Sequence, residues 1–392
     1  MENGRVIAQK AFKYRFFPTE KQVAQLARTF GCARYVWNWG LDTRTTAWQQ
    51  DKKPLNYHAT ARLLTDLKRQ RGLSFLGEVS SVVLQQTLRN LDAAFTNFFA
   101  KRAGYPSFKS RKSRQSVRYA TNAFTRNEDQ ITLAKQDEPL NISWSRPLPQ
   151  DAKLLSVTIS RDSAARYFIS VLVETEIKPL KKIKAQVGID VGIKTLATTS
   201  EGEKLENPKP LVRREKRLKK LQRRLSRKVK GSNNRSKVKL KLAKLHATVR
   251  DTRRDAIQKF TTKIIGENQA IFVEELNVAG MMQNHCLAKQ IGDAAFAEIF
   301  RELEYKAGWS GRTYLEIDRF FPSSKLCSSC GHLLSALSLS VREWDCPKCK
   351  VHHDRDANAA KNIKAAGLYL LKTMGSDAPK VTPTRDERRR SA

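Results

Sequence analysis

Val187-Gly188-Ile189-Asp190-Val191-Gly192-Ile193-Lys194 reads as a strand ending in a carboxylate flanked by glycines. Small residues there let something large approach the acid closely. The stretch is not a P-loop, since no G-x-x-x-x-G-K-S/T occurs, and ATP hydrolysis is not supported. A second apolar strand, Ala270-Ile271-Phe272-Val273, runs straight into Glu274 and Glu275. Paired acids at the end of a buried strand are costly unless a cation or a basic group meets them. A helix over roughly 293–310 and a strand at Thr313–Ile317 follow. Strands alternating with helices make this half of the chain α/β.

Beyond that strand stand Cys327-Ser328-Ser329-Cys330 and Cys346-Pro347-Lys348-Cys349, with 15 residues between the pairs. That is the spacing of a zinc ribbon, and four thiolates leave no open position for water, so Zn2+ here is structural. Cys32 and Cys286 stand alone and are expected to be ordinary packed thiols. His352-His353-Asp354-Arg355-Asp356-Ala357-Asn358-Ala359-Ala360 then puts two acids ahead of an Ala-rich run. The first turn of a helix favours negative charge, and a simple cap is the plain alternative for either Asp. Asp190, Glu274 and Asp356 lie on separate elements that can converge at one edge of a sheet. Such a set suits a hard cation, because Mg2+ takes oxygen ligands and shares carboxylates with phosphates. Two such ions roughly 4 Å apart activate water and stabilise the leaving oxygen in phosphodiester hydrolysis.

Composition agrees. The 392 residues carry 74 Lys+Arg against 38 Asp+Glu, a formal charge of +36 that implies a polyanionic partner. The length predicts two to three domains, and 40% hydrophobic residues suffice for a core. Residues 213–254 hold 19 Lys/Arg and only two acids, with leucine periodicity broken at Gly231-Ser232-Asn233-Asn234. They read as two basic helices along a phosphate backbone, Arg213, Arg214, Arg217, Arg223, Arg224 and Arg227 among the contacts. The opening MENGRVIAQK has no apolar h-region, and no stretch approaches 18 apolar residues. A soluble, cytoplasmic protein in a reducing compartment, with no membrane partner, is expected.

In the front half, Phe12, Tyr14 and Phe16 alternate with Lys13 and Arg15 as in a half-buried strand. Thr19-Glu20-Lys21-Gln22 has the form of a capping box, opening a helix with Val23, Leu26, Ala27 and Phe30 on its buried face. Further helices are expected over about 32–50, 57–71 and from 79, the last with Leu84, Leu88, Leu91, Phe95 and Phe99 on one stripe. Strand-like runs follow at 130–133, 141–144, 154–160 and 166–174. The first strand has no partner among the helices, so it should join the later strands in a small barrel into which four helices are inserted. Tyr105 and Phe108 sit among Gly, Pro, Lys and Arg, which suits either stacking on unpaired bases or a packed loop.

The ordered set KAFKYRFFPTEKQ, GCARYVWN, GIDVGIKTLAT, VEELNVAGM, CSSCG…CPKC and DRDANAAKNI resembles the TnpB family, transposon-encoded relatives of type V CRISPR effectors, over all but about the last 18 residues. The resemblance implies a wedge β-barrel at 1–18 and 104–182, a helical recognition domain at 19–103, and a RuvC-like, RNase H-type nuclease domain at 183–325 and 350–374. The zinc ribbon at 326–349 is inserted in the last, and 375–392 form a disordered tail. It implies catalysis at Asp190, Glu274 and Asp356. Glu274 is preferred over Glu275, and Asp356 over Asp354, by position in the family motifs. Readers of the DNA motif beside the target fall at Tyr57, Gln85, Thr121 and Asn122. One departure is Lys350, where the ribbon usually has Gly. The implied function is Mg2+-dependent, RNA-guided cleavage of double-stranded DNA. The guide RNA comes from the transposon end, and the protein is most simply a monomer at the bacterial or archaeal nucleoid. The alternative is an RNA-guided DNA-binding repressor that does not cut. Relatives of that kind typically lose acids of the triad, and this chain keeps all three. A transposase acting directly on transposon ends is the third reading, without a Tyr and His-hydrophobic-His signature to support it.

Overall fold

The computed structural model describes residues 7–338 and 340–374, in two compact units that divide after Glu176. The tail expected to be disordered lies outside the described residues. The first unit runs β1 (Ile7–Phe16), α1 (Glu20–Asp51), α2 (Tyr57–Arg69), α3 (Ser81–Phe99), β2 (Gln115–Ala120), β3 (Phe124–Asn127), β4 (Gln130–Leu133), β5 (Ile142–Ser143), β6 (Lys153–Arg161) and β7 (Tyr167–Glu176). β1 pairs antiparallel with β7 along its whole length, from Ile7 opposite Glu176 to Phe16 opposite Tyr167. The helices are therefore an insertion between the first strand and its partners. Alternation sends Tyr14, Phe16, Ile169, Val171 and Val173 into one core with Ile131 and Leu133.

Four expectations change. The sheet order is β2-β6-β7-β1-β5, so among the described residues β2 and β5 are edges and the barrel does not close by hydrogen bonding. β5 is only two residues long, and the hairpin β3–β4 pairs with itself while filling the core. The two helices expected between 19 and 50 are one. Buried positions Gln22, Leu26, Thr29, Phe30, Ala33, Val36 and Trp37 continue past Gly31, and this packing outweighs the roughly 1 kcal/mol that a helical Gly costs. Three helices and a short 3-10 turn at Ser74–Glu78 thus replace the expected four. Val23 and Ala27 are exposed because the buried stripe runs through Gln22 instead, whose Nε2 donates to the carbonyls of Glu138 and Pro139. Phe99, at the end of α3, is 73% exposed rather than core.

The second unit runs β8 (Gln186–Asp190), β9 (Thr195–Thr199), β10 (Lys204–Glu206), α4 (Pro210–Ser226), α5 (Asn233–Glu267), β11 (Ala270–Glu274), α6 (Val278–Met281), α7 (Ala288–Ala294), α8 (Phe296–Ser310), β12 (Thr313–Ile317), β13 (Glu343–Asp345), β14 (His352–Asp354) and α9 (Arg355–Thr373). Its sheet, β10-β9-β8-β11-β12, is antiparallel from β10 to β8 and parallel from β8 through β11 to β12. Both faces are covered, which is why these strands read as unbroken apolar runs. Ile271 and Val273 meet residues of α5 and α8, while Ala270 and Phe272 meet Ile363 of α9. No helix of the described residues is long and apolar enough to cross a membrane.

Helix α9 lies unusually close to the sheet. A Cβ on Gly188 would overlap the Ala360 carbonyl oxygen and the Lys364 amide nitrogen, and one on Gly367 would overlap the Phe272 ring. Gly188→Ala should accordingly destabilise the protein by about 1–3 kcal/mol or more in thermal or urea unfolding. Gly31→Ala, with nothing within 4 Å of the new carbon, should be neutral or slightly stabilising.

Candidate functional site

Asp190 and Glu274 end adjacent parallel strands. Ile189 stands opposite Val273, so the next residues, the two acids, are neighbours at the strands' carboxyl ends. Asp356 sits in the first turn of α9, the helix that Gly188 and Gly367 admit against those strands. Burial, then the charges of Asp356 and Glu274, push the Asp190 carboxyl up to about 8, with Arg355 opposing them. Burial alone pushes Glu274 to about 7. The fold therefore brings Glu274 and Asp356 near enough for their charges to act on the buried Asp190. Carboxylate oxygens are the donors a hard divalent cation takes, but among the described residues only the four cysteines, and not these three acids, stand close enough together to form a metal-ligand group.

The neighbouring acids are otherwise engaged. Asp354 caps α9, its Oδ1 accepting from the Ala357 N–H at 2.9 Å and its Oδ2 from Lys204 Nζ at 2.7 Å. Glu275 pairs with Arg319 at 2.6 Å. Asp356 faces the Arg342 guanidinium at 3.6 Å. Arg319 and Arg342 come from loops outside any motif, and Arg355 lies inside the DRDANAAKNI stretch without a role there, so sequence reasoning missed all three. Only a fold that returns the chain three times to one edge makes them neighbours.

The sulfurs of Cys327, Cys330, Cys346 and Cys349 all lie within 4.8 Å of one another. Cys327 to Cys349 is 3.7 Å and Cys330 to Cys346 is 3.6 Å. A tetrahedron with Zn–S bonds of about 2.3 Å has edges of about 3.8 Å, so the four thiols fit one ion. The two knuckles are built alike. Gly331 N–H donates to the Cys327 carbonyl and Lys350 N–H to the Cys346 carbonyl, each at 2.9 Å. Both turns need a left-handed residue, and Lys350 takes it at φ 59 where Gly331 has φ 72, so the Lys departure strains this turn without breaking it. The β13–β14 ladder carries the ribbon past 349, to Asp354. The ribbon is also tied to α9. Asn358 donates to the Leu326 carbonyl and accepts from Ser328 N–H, and Asn362 donates to the carbonyls of Ser323 and Leu326. Buried His353 places Nε2 3.1 Å from Cys327 Sγ, a neighbour the spacing of the cysteines does not announce. Cys32 is buried as expected, but Cys286 is exposed, in the loop between α6 and α7 where no core covers it.

The basic run forms α4 and α5 as expected, packed side by side. Arg235 closes the hairpin by donating to the carbonyls of Leu225 and Lys228 at the end of α4. Asp293, almost fully buried, accepts from Leu211 N–H and from Arg253, fixing the start of α4. Arg213, Arg217, Arg223, Arg224 and Arg227 are exposed and Arg214 half-buried. In the first unit, Tyr57 opens α2 with Arg89 of α3 stacked 4.3 Å from its ring. Gln85 is exposed one turn before Arg89, and Thr121 and Asn122 lie exposed on a turn that packs against α3. Tyr105 belongs to a packed loop, edge-on to Phe95 and Phe98 with its hydroxyl 2.8 Å from Thr45 Oγ1, whereas Phe108 is exposed.

Residues 168–285 match the OrfB_IS605 family, described as a probable transposase, and residues 296–363 match the Cas12f1-like TNB domain. Residues 8–53 match the OrfB_IS605 helix-turn-helix domain, a span that in this chain is β1 and the single helix α1. A cryo-EM structure of a Cas12f1–sgRNA–target DNA complex shares the fold with TM-score 0.56 at 15% identity, over 91% of this chain and 99% of that one. These define a class of transposon-related proteins with a Cas12f1-like fold. A Streptomyces pristinaespiralis protein named an RNA-guided DNA endonuclease is 52% identical over 92% of this chain and 90% of its own. The Escherichia coli K12 protein InsQ, of the same description, is 31% identical over 92% and 93%. The chain belongs to the TnpB family.

The raised carboxyls give a signed prediction. A folded-state pKa near 8 for Asp190, against about 3.9 unfolded, means stability lost as pH rises through that window. Asp190→Asn keeps the neutral form. In magnesium-free, zinc-loaded protein it should melt above wild type by a margin that grows from pH 5 to 8 and then levels. A margin independent of pH would contradict the raised carboxyl.

Proposed function

We propose that the chain is an RNA-guided DNA endonuclease. It would use RNA from the transposon end to pair with one strand of a double-stranded target, next to a short motif that the protein reads. The observation that carries this reading is the set of three acids on β8, β11 and α9, where burial and then the charges of Asp356 and Glu274 lift Asp190 to about 8, within a chain of charge +36. Its 52% identity to a protein named for that activity supports it. The sheet order, an antiparallel meander extended by two parallel strands, supports the RuvC-like, RNase H-type assignment of the second unit. Domain limits follow the sequence reading, with the ribbon extended to 354 by its strand pair. The chain would act as a monomer at the nucleoid.

Asp190, Glu274 and Asp356 would hold Mg2+. Mg2+ held there, as two ions in this reading, would supply activation of an attacking water and neutralisation of the leaving oxygen. The chain's own groups do the rest. The α4–α5 hairpin holds backbone phosphates, making affinity fall steeply with salt. Gln85, Thr121 and Asn122 are exposed and Tyr57 is half-buried beside Arg89, and these four would meet a duplex edge. Arg342, which faces Asp356, would meet a phosphate when a cation takes over the carboxylates, while Arg355 is held by the Ser338 carbonyl at 2.8 Å. The four cysteines would hold Zn2+, which ties the ribbon to α9 and so to Asp356.

RNA that co-purifies when the protein is expressed with its flanking DNA should be one species ending in sequence beyond the element. Heterogeneous RNA would count against guidance. With that RNA, wild type should cut a matched duplex in Mg2+. Asp190→Ala should bind RNA and target equally well and lose cutting by several orders of magnitude. Cutting by that variant would remove Asp190 from the site, and occupancy without cutting by wild type would favour the repressor. Cys327→Ser should lose zinc in metal analysis and lower the melting temperature, and unchanged zinc content would show the site is misassigned.

A further inference from the structure

Phe320 is the most exposed large hydrophobic side chain among the described residues, at 85%. Single exposed apolar residues are ordinary, so exposure alone decides nothing. Its setting is what distinguishes it. Phe320 and Phe321 are adjacent in sequence and have opposite fates. Phe321 packs into the cluster that joins β12 to α9, while Phe320 faces solvent.

The turn that separates them is held from both sides. Asp318 Oδ1 accepts from the Phe320 N–H at 2.7 Å, and the Asp318 carbonyl accepts from the Phe321 N–H at 3.1 Å. Downstream, the Ser323 carbonyl is bound by Asn362 of α9 at 2.8 Å. Upstream, Arg319 is clamped on Glu275 at 2.6 Å, and the Glu275 N–H donates to the Ile317 carbonyl. The ring is thus carried on a braced loop one residue from a guanidinium, which is itself paired to the residue after Glu274. Burying a Phe is favourable, and a loop this constrained forgoes that gain.

We infer that Phe320 is a substrate-binding residue for the cleavage reaction: its ring stacks on an unpaired base of the DNA strand delivered to the acids, with Arg319 beside it toward the backbone. This rests on the endonuclease reading and adds a contact to it. An aromatic face takes any base, which suits a nuclease whose sequence choice is made by RNA pairing. It also requires the strand to be unpaired at the site, because a ring cannot stack into a closed duplex without opening it. The occupant is single-stranded DNA rather than guide RNA, since the ring is carried three residues past Ile317, the β12 partner of Glu274.

The test uses the full chain with its guide RNA. In single-turnover reactions on a bound target, Phe320→Ala should slow cutting about tenfold, the scale of one lost base stack. Phe320→Tyr should remain close to wild type. Target occupancy and melting temperature should stay unchanged in both, as a solvent-facing side chain allows. In the Asp190→Ala background, 2-aminopurine scanned along each DNA strand should be quenched at one position, and Phe320→Ala should remove that quenching. Quenching of labelled guide RNA in place of DNA, or wild-type cutting rates for Phe320→Ala with the quenching intact, would overturn the assignment. Wild-type cutting in the same assay is the separate control. Its absence would remove the endonuclease reading, whereas its presence with an unaffected Phe320→Ala removes only the stacking role.

Discussion

Three carboxylates held at one edge of a partly buried sheet repel one another, and much of the second unit can be understood as the means of holding them there. Asp190 and Glu274 are fixed by strand pairing, so neither can retreat without breaking a ladder. Asp356 arrives on α9, which reaches the strands only because Gly188 and Gly367 carry no Cβ. Arg355 draws on Asp190 and Arg342 faces Asp356, but neither cancels the burial and the neighbouring charges that lift Asp190. A site that disfavours its own ionised form is a site prepared for an external positive charge.

The ribbon belongs to the same arrangement. Its first knuckle is read by Asn358 and Asn362, two side chains of the helix that carries Asp356. The four thiols and the three acids are therefore joined through one helix. Loss of order at the cysteines would be felt first at the start of α9. The surrounding charge has a different character. On α4 and α5 it is spread over exposed Arg and Lys side chains on a hairpin closed by Arg235, a surface rather than a pocket. Exposed charge of this kind acts at long range, whereas the acids are sunk at the sheet edge and act only at contact distance under the proposed function.

Much of this was legible before any coordinates. Alternation at Tyr14 and Phe16 and at Ile169 to Val173 marked strands whose pairing the structure bears out. The apolar run ending in Glu274, the CxxC pairs and the break between the basic helices each coincide with an element boundary or a cluster. What misled were local signals outvoted by packing. Gly31 did not end α1, Val23 yielded its place to Gln22, and Phe99 fell beyond the last buried turn of α3. The short β5 and the self-paired β3–β4 hairpin left an open sheet where a barrel was expected.

The sequence by itself determined most element types, the paired cysteines and the charge, because periodicity, thiol spacing and composition are properties of neighbours along the chain. The tertiary structure alone decided which acids share a field, that Glu275 and Asp354 are spent on Arg319 and Lys204, and that Phe320 is turned outward while Phe321 is not. Those outcomes depend on distances between segments that are tens of residues apart. Strand register and the approach of α9 set such distances, and no local pattern encodes them.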